Sequence, residues 1–250
     1  MKSKHLLSAI CLVAIALVIS SCQRRQMHVD SSHEVAIAVN QSLDEIADTA
    51  YLNILEPYKV RLNAELDGVI GHAPEAMRVA KPESNMLNWS ADALREMAHL
   101  KTGKDIDLAV VNIGGLRCEW EAGDIRLRNV YELMPFDNKL VVLSLSGKDL
   151  LDLAQCFADT MGQGISGMRL TIRQRKAENV TLNGKKIVPQ MLYQVATSDY
   201  LSEGNDHMEP LANYTAIEKT DITIRDLYTE YIKLHPVVEA KVDGRTKVVR

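Results

Sequence analysis

The run Ile106–Asp107–Leu108–Ala109–Val110–Val111 stops at Asn112, passes two adjacent glycines and delivers Arg117. A short apolar run bounded by turn residues reads as a buried strand. Gly114–Gly115 then lets the backbone adopt dihedrals closed to other residues and approach another group closely. Arg117 presents a planar fork of donors suited to carboxylate or phosphate oxygens. Asn112–Ile113–Gly114–Gly115–Leu116–Arg117 is thus laid out as a binding loop at a strand end, a layout it shares with many ordinary turns. Two further places follow in order. Met134–Pro135–Phe136 brings a ring nineteen residues after Arg117, and "ATSDYLSEGNDHM" sets Tyr200 six residues before Asp206. Each also has a plain structural reading. Phe136, one of two phenylalanines in the chain, fits a core. Tyr200 fits one too when its hydroxyl is satisfied locally, and Asp206, after Gly204–Asn205, fits a turn.

These places depend on the elements around them. Gln23–His33 is polar, contains Arg24–Arg25 and reads as a tether. A helix is expected over Gln41–Leu55 and a second from Pro57 to just before Gly68, followed by a short strand at Val69–His72. The best helix lies in "PESNMLNWSADALREMAHLKTG": Leu87, Ala91, Leu94 and Ala98 share a face, Ser84 caps the start and Gly103 sits beyond the end. On its other side Asn88, Asp92 and Arg95 stand one turn apart and read as a solvated face. "GDIRLRNVYELMPF" reads as a turn and a short helical piece stopped at Pro135. Leu140–Leu145 is a strand, and Ser146-x-x-Asp149 is a capping box that opens a helix over Leu150–Phe157. Strands are expected at Met168–Ile172, Val180–Leu182 and Tyr193–Thr197, with Asn183–Gly184 turning a hairpin to Ile187–Val188. A helix over Ile224–Leu234 and a strand at Thr246–Val249 follow. Helices and strands mix without a regular βαβ period, so the class is α+β, or mixed α/β, in a single domain.

Of the 250 residues 46% are hydrophobic and 25% charged, with a net charge of -4. These are the proportions of a soluble globular protein, and they give no reason to expect a nucleic-acid polymer as partner. Residues 1–21 are expected to be a signal peptide. Lys2 and Lys4 start it, the apolar stretch Leu6–Ile19 is short for a membrane span, and Ile19–Ser20–Ser21–Cys22 closes it. That ending resembles a bacterial lipoprotein box, which implies cleavage before Cys22, lipidation of Cys22 and a membrane anchor outside the cytoplasm. An ordinary signal peptide that leaves Cys22 free is the alternative. The expected organisation is a signal peptide over 1–21, lipidated Cys22 and tether over 22–40, and one domain over 41–250. Cys118 and Cys156 lie in a compartment that permits a bridge, and no C-x-x-C or zinc-type spacing is present.

Four stretches in order resemble the C-terminal, substrate-binding domain of the 5'-nucleotidase family: "NMLNWSADAL", "NIGGLR", "GDIRLRNVYELMPF" with the following strand and "SGKDLLDL", and "YQVATSDYLSEGND". The resemblance runs from about Pro57 to the C-terminal helix. It implies that Phe136 and Tyr200 clamp a purine or pyrimidine between their rings and that Asp206 accepts hydrogen bonds from the ribose hydroxyls. It further implies that Asn112 and Arg117, with Gly114 between them, hold the polar side of the ligand. The physics agrees, since stacking on an aromatic ring contributes about 1–3 kcal/mol per base and a carboxylate makes charge-assisted bonds to hydroxyls. The chain also departs from the family. Gly204–Asn205–Asp206–His207 stands where Gly-Gly-Asp-Gly is usual, which restricts a loop whose backbone can need open dihedrals. A family arginine falls on Ala80, with Arg78 and Lys81 as nearby substitutes.

Members of the family hydrolyse phosphate esters with two metal ions held in a separate metallophosphoesterase domain. Asp-x-His, Gly-Asn-His and Gly-His-x-His are its marks, and none of the seven histidines here lies in one. The residues before Pro57 are also too few for that domain. The expectation is therefore a nucleoside- or nucleotide-recognition half of a split extracytoplasmic 5'-nucleotidase, a hydrolase of nucleotide catabolism. This chain would carry no cofactor, and a divalent metal pair would sit in a partner metallophosphoesterase polypeptide. The alternatives are a stand-alone nucleoside-binding lipoprotein and a degenerate domain that binds nothing.

Overall fold

The computed structural model describes residues 31–32, 34–36, 38 and 49–249. The expected signal peptide, Cys22, most of the tether and the start of the helix expected from Gln41 lie outside the described residues. The chain divides into two units, Met1–Leu52 and Asn53–Arg250. The described residues of the first are exposed. The second carries the mixed α/β fold.

α1 (Thr49–Leu66) is a single helix with Pro57 inside it, where two helices were expected. An internal proline removes one N–H and crowds one carbonyl, and that cost does not end the element. The last turn is tied down by Arg128, which donates to Asn63 Oδ1 at 2.7 Å and to Asp67 Oδ1 at 2.9 Å. β1 (Val69–Ala73) then leads to α2 (Asn85–Thr102), which has the caps the sequence predicts. Ser84 accepts from the Leu87 N–H, and Gly103 takes the left-handed conformation with φ 69°.

A five-stranded sheet forms the centre. It comprises β2 (Leu108–Val111), β4 (Lys139–Ser146), β5 (Gly164–Ser166), β8 (Leu192–Ser198) and β9 (Ala216–Thr223), in the order β5-β2-β8-β4-β9. β2 and β8 run parallel and the other neighbours antiparallel. The sheet is covered on both faces, which explains why β2 and β4 read as continuous apolar runs. Side chains of a strand alternate between faces, and the core divides accordingly. Ala109, Val111, Leu140 and Val142 pack with Trp89 and Leu94 of α2 and with Leu227 and Ile232 of α6 (Ile224–Leu234). Leu108, Val110, Val141 and Leu143 pack with Leu150, Leu153 and Phe157 of α4 (Gly147–Asp159). Fully burying one such side chain stabilises by about 1.5–3 kcal/mol. β8 runs into the short α5 (Asp199–Ser202). β6 (Met168–Arg173), β7 (Lys176–Leu182) and β10 (Thr246–Val249) make a second sheet in the order β10-β6-β7.

Several expectations are corrected. β3 (Gly123–Arg126) pairs antiparallel with β1, where the sequence reads as a turn, and α3 (Leu127–Leu133) follows it. Only Ile125 of β3 is buried, so the strand carries no apolar alternation to betray it. Ile187–Val188 is not a strand. Asn183 and Gly184 do turn the chain with φ 49° and 75°, but the hairpin closes through one bridge, Leu182–Lys185. The chain then spends its carbonyls on the start of α4: Gly147 N–H donates to Met191 O at 2.9 Å and Lys148 N–H to Pro189 O at 3.0 Å. A Cβ on Gly147 would lie 2.1 Å from Val188 O, so the crossing requires glycine there. The polar side of α2 is not a solvated face either. Asn88 is buried and donates to Glu83 Oε1 and to Lys241 O, at 2.7 and 2.8 Å. Asp92 forms a two-pronged pair with Arg245 at 2.7 and 3.0 Å, and Arg95 donates to Ile106 O at 2.8 Å. The C-terminal segment returns along this face from more than 150 residues away.

Candidate functional site

β2 ends at Val111, and after Asn112 the residues Ile113–Gly115 make one 3-10 turn. The Ile113 N–H donates to Oε1 of the buried Gln163 at 2.8 Å, and the Arg117 N–H donates to Leu133 O at 2.8 Å. The loop is therefore fixed at both ends by groups outside it. The two glycines serve different needs. A Cβ on Gly115 would stand 2.7 Å from Asn112 Oδ1, so Gly115 makes room for that amide. At Gly114 the nearest atom would be Asp206 Oδ2, at 3.6 Å. Arg117 folds back, Nη1 donating to Gly114 O at 3.2 Å, and its guanidinium carbon stands 5.8 Å from the centroid of the Phe136 ring. That is inside the range of a cation–π contact.

Phe136 follows Pro135 on the connection from α3 to β4, and Tyr200 lies in α5 at the end of β8. Neighbouring antiparallel strands bring these two arms together. The Asp199 carboxylate ties them, because Oδ1 accepts from the Lys139 N–H at 3.1 Å and from the Tyr200 N–H at 2.8 Å. After α5 the chain turns through Gly204, Asp206 and His207 with φ of 84°, 56° and 61°. Of the two positions where the sequence departs from a glycine pattern, Asn205 has no positive φ and His207 does. Left-handed backbone costs a non-glycine residue roughly 1–2 kcal/mol, and Asp and His are among the residues found there more often than most. The loop forms with these side chains in place. Asn205 steadies it by donating from Nδ2 to Tyr200 O at 2.7 Å.

Asp206 is the hub. Its Oδ1 accepts from the Tyr200 hydroxyl at 3.0 Å and its Oδ2 accepts a short bond from Asn112 Nδ2. Tyr200 is pushed above the ordinary phenol range, first by that hydrogen bond, then by burial and by the charge of Asp206. All six residues singled out from the sequence, Asn112, Gly114, Arg117, Phe136, Tyr200 and Asp206, line one cleft of about 330 Å³, together with Gly115 and Asn138. Phe136 and Tyr200 are 41% and 40% exposed, unlike core aromatics such as Tyr228 and Phe157. Apolar ring faces, one cation, one carboxylate and two amides suit a planar ligand that carries hydroxyl groups.

Arg78 and Lys81 are not substitutes at this cleft. Arg78 makes a bidentate pair with Glu121 at 2.7 and 2.8 Å, and Lys81 donates to Thr160 O at 2.6 Å. Sequence reasoning missed Asn138, which its place two residues after Phe136 could have signalled. It also missed Gln163 and Asp199, for which spacing carries no signal. Cys118 and Cys156 are separate free thiols, both raised above the usual range first by burial. Among the described residues no group of three or more His, Cys, Asp or Glu side chains is placed to hold a metal ion. Among the same residues no helix is long and apolar enough to cross a membrane.

The family described as "5'-nucleotidase, C-terminal domain" matches residues 69–213, from β1 through the turn that follows the Asp206 loop. A 5'-nucleotidase of Vibrio cholerae serotype O1 is 22% identical over 197 residues, 77% of this chain and 35% of its own. That of Vibrio parahaemolyticus is 25% identical over 202 residues, 78% of this chain and 36% of its own. The chain thus spans little more than a third of these relatives. The crystal structure of a 5'-nucleotidase precursor from Thermus thermophilus superposes with a TM-score of 0.71 at 25% identity, over 83% of this chain and 44% of that one.

Proposed function

The chain belongs to the 5'-nucleotidase C-terminal domain family, and on that premise we propose that its cleft holds the base and ribose of a nucleoside or nucleotide. The observation that carries this reading is the convergence of Asn112, Gly114, Arg117, Phe136, Tyr200 and Asp206 on one cleft. The base stacks between Phe136 and Tyr200, an interaction tolerant of base identity because every base has a π-face. Asp206 accepts from the ribose hydroxyls. Its two oxygens offer about four acceptor sites, so it can do this while keeping Asn112 and Tyr200. Asn112 and Arg117 hold the polar edge of the ligand, and the protruding 5' side is left for chemistry outside this cleft.

That chemistry is assigned to a separate metallophosphoesterase polypeptide, with this chain as the recognition half of a split 5'-nucleotidase. The metal pair would be the partner's, and this chain's residues bind and orient the substrate. Lipidation at Cys22 would hold both chains at one extracytoplasmic membrane surface, with residues 1–21 as signal peptide, 22–40 as tether and 41–250 as the recognition domain. The test is affinity purification of the native chain from its own membranes. Recovery of a metallophosphoesterase with nucleotide-hydrolysing activity in proportion to the chain is expected. Full hydrolytic activity in the isolated chain would overturn the division of labour.

A further inference from the structure

We propose that Arg225 is a positioning residue that sets the orientation of the Phe136 ring, an inference that rests on the clamp reading given above. Phe136 is 41% exposed, so packing alone does not fix its ring, and the ring's orientation depends on the backbone that bears it. That backbone leaves α3 at Met134, whose N–H makes the last helical bond, to Val130 O at 2.9 Å, and then passes through Pro135, which has no N–H to offer. The first turn of α6 replaces what is missing. Arg225 Nη1 donates to Phe136 O at 3.3 Å and reaches Met134 O at 3.4 Å, while Nη2 pairs with Asp137 Oδ1 at 2.5 Å. Next to it, the Ile224 N–H donates to Asn138 O at 2.9 Å. The guanidinium plane is held in turn by Tyr131, whose ring centroid lies 4.4 Å from Cζ. One side chain, 12% exposed, thus grips the residue before Pro135, the carbonyl of Phe136 and the side chain after it.

Only arginine meets this demand. Its donors diverge from a rigid plane that also stacks on a ring, whereas a lysine ammonium is a single compact charge. Arg225 does not itself line the cleft. Its effect reaches a ligand only through Phe136.

The chain has two phenylalanines, Phe136 and Phe157. Labelling with 4-fluorophenylalanine therefore gives two fluorine resonances, one from the clamp and one from a fully buried internal control. In Arg225→Lys and Arg225→Gln the Phe136 resonance is expected to sharpen and move toward that of the free amino acid while the Phe157 resonance stays. An unmoved Phe136 resonance overturns the inference, and so does equal movement of both, which would mean general loosening. The functional counterpart is the adenosine Kd. Arg225→Lys should raise it about tenfold, a part of what losing a stacking ring costs, and should change it little once Phe136→Ala is present. Equal losses in both backgrounds would overturn action through Phe136. Failure of the clamp reading is distinguishable, since it would appear as an unchanged Kd in Phe136→Ala alone.

Discussion

The hydroxyl of Tyr200 stands 3.0 Å from Oδ1 of Asp206, and Asn112 donates to the other oxygen of the same carboxylate. Ring, carboxylate and amide are thereby set relative to one another before any ligand arrives, and such preorganisation lowers the cost of binding.

The first prediction is a titration. Because Tyr200 is bonded to Asp206, its phenol keeps its proton to higher pH in the folded protein than in the unfolded chain. The stability this contributes is present below the ordinary tyrosine pKa of about 10 and is lost as pH rises through the raised folded value. Ultraviolet titration, with Tyr200→Phe subtracted, should show Tyr200 ionising late. Asp206→Asn should bring that step back toward the ordinary range, and a step that does not move would contradict the bond.

The two loop glycines should respond differently to alanine. At Gly115 the new Cβ would stand 2.7 Å from Asn112 Oδ1, which forces that side chain off Asp206. Gly115→Ala should therefore fold and weaken nucleoside binding as far as Asn112→Ala does. Gly114→Ala, with its nearest neighbour at 3.6 Å, should weaken it less. Reversal of that order in calorimetry would mean that Asn112 is not held by this contact.

Arg245 and Asp92 join the C-terminal segment to α2, at 11% and 40% side-chain exposure. Removing one partner of a buried pair costs about 3–5 kcal/mol and of an exposed pair about 0–1 kcal/mol, and the exposure of Asp92 places this half-buried pair between them, at roughly 1–3 kcal/mol. Urea unfolding of Arg245→Ala should register a loss of that order. A loss within the range of an ordinary surface substitution would show the contact to be incidental.

Much of this was legible in the sequence, for identifiable reasons. α2 could be read from Ser84 through Gly103 because both caps and the apolar stripe are local signals. α6 and β10 carry equally local patterns, and the observed spans agree with the expected ones at Ile224–Leu234 and Thr246–Val249. Strand β9 was not foreseen, because "AIEKTDIT" at the sheet edge has only partial burial. The polar side of α2 was misread because Lys241 and Arg245, which cover it, are remote in sequence. At the cleft, residue types such as Phe136 and Tyr200 could be picked out by ordered motifs. Gln163, Asp199 and Arg225 act through hydrogen bonds to backbone atoms, which no spacing rule encodes.

The measurement that bears most directly on the account is calorimetric titration of adenosine and of AMP into the purified protein, with Tyr200→Ala as the control. The account predicts that the wild-type protein binds both and that the control loses about 1–3 kcal/mol of affinity, the usual cost of removing one stacking ring. Binding that survives unchanged in Tyr200→Ala, or no binding by either protein, would contradict it.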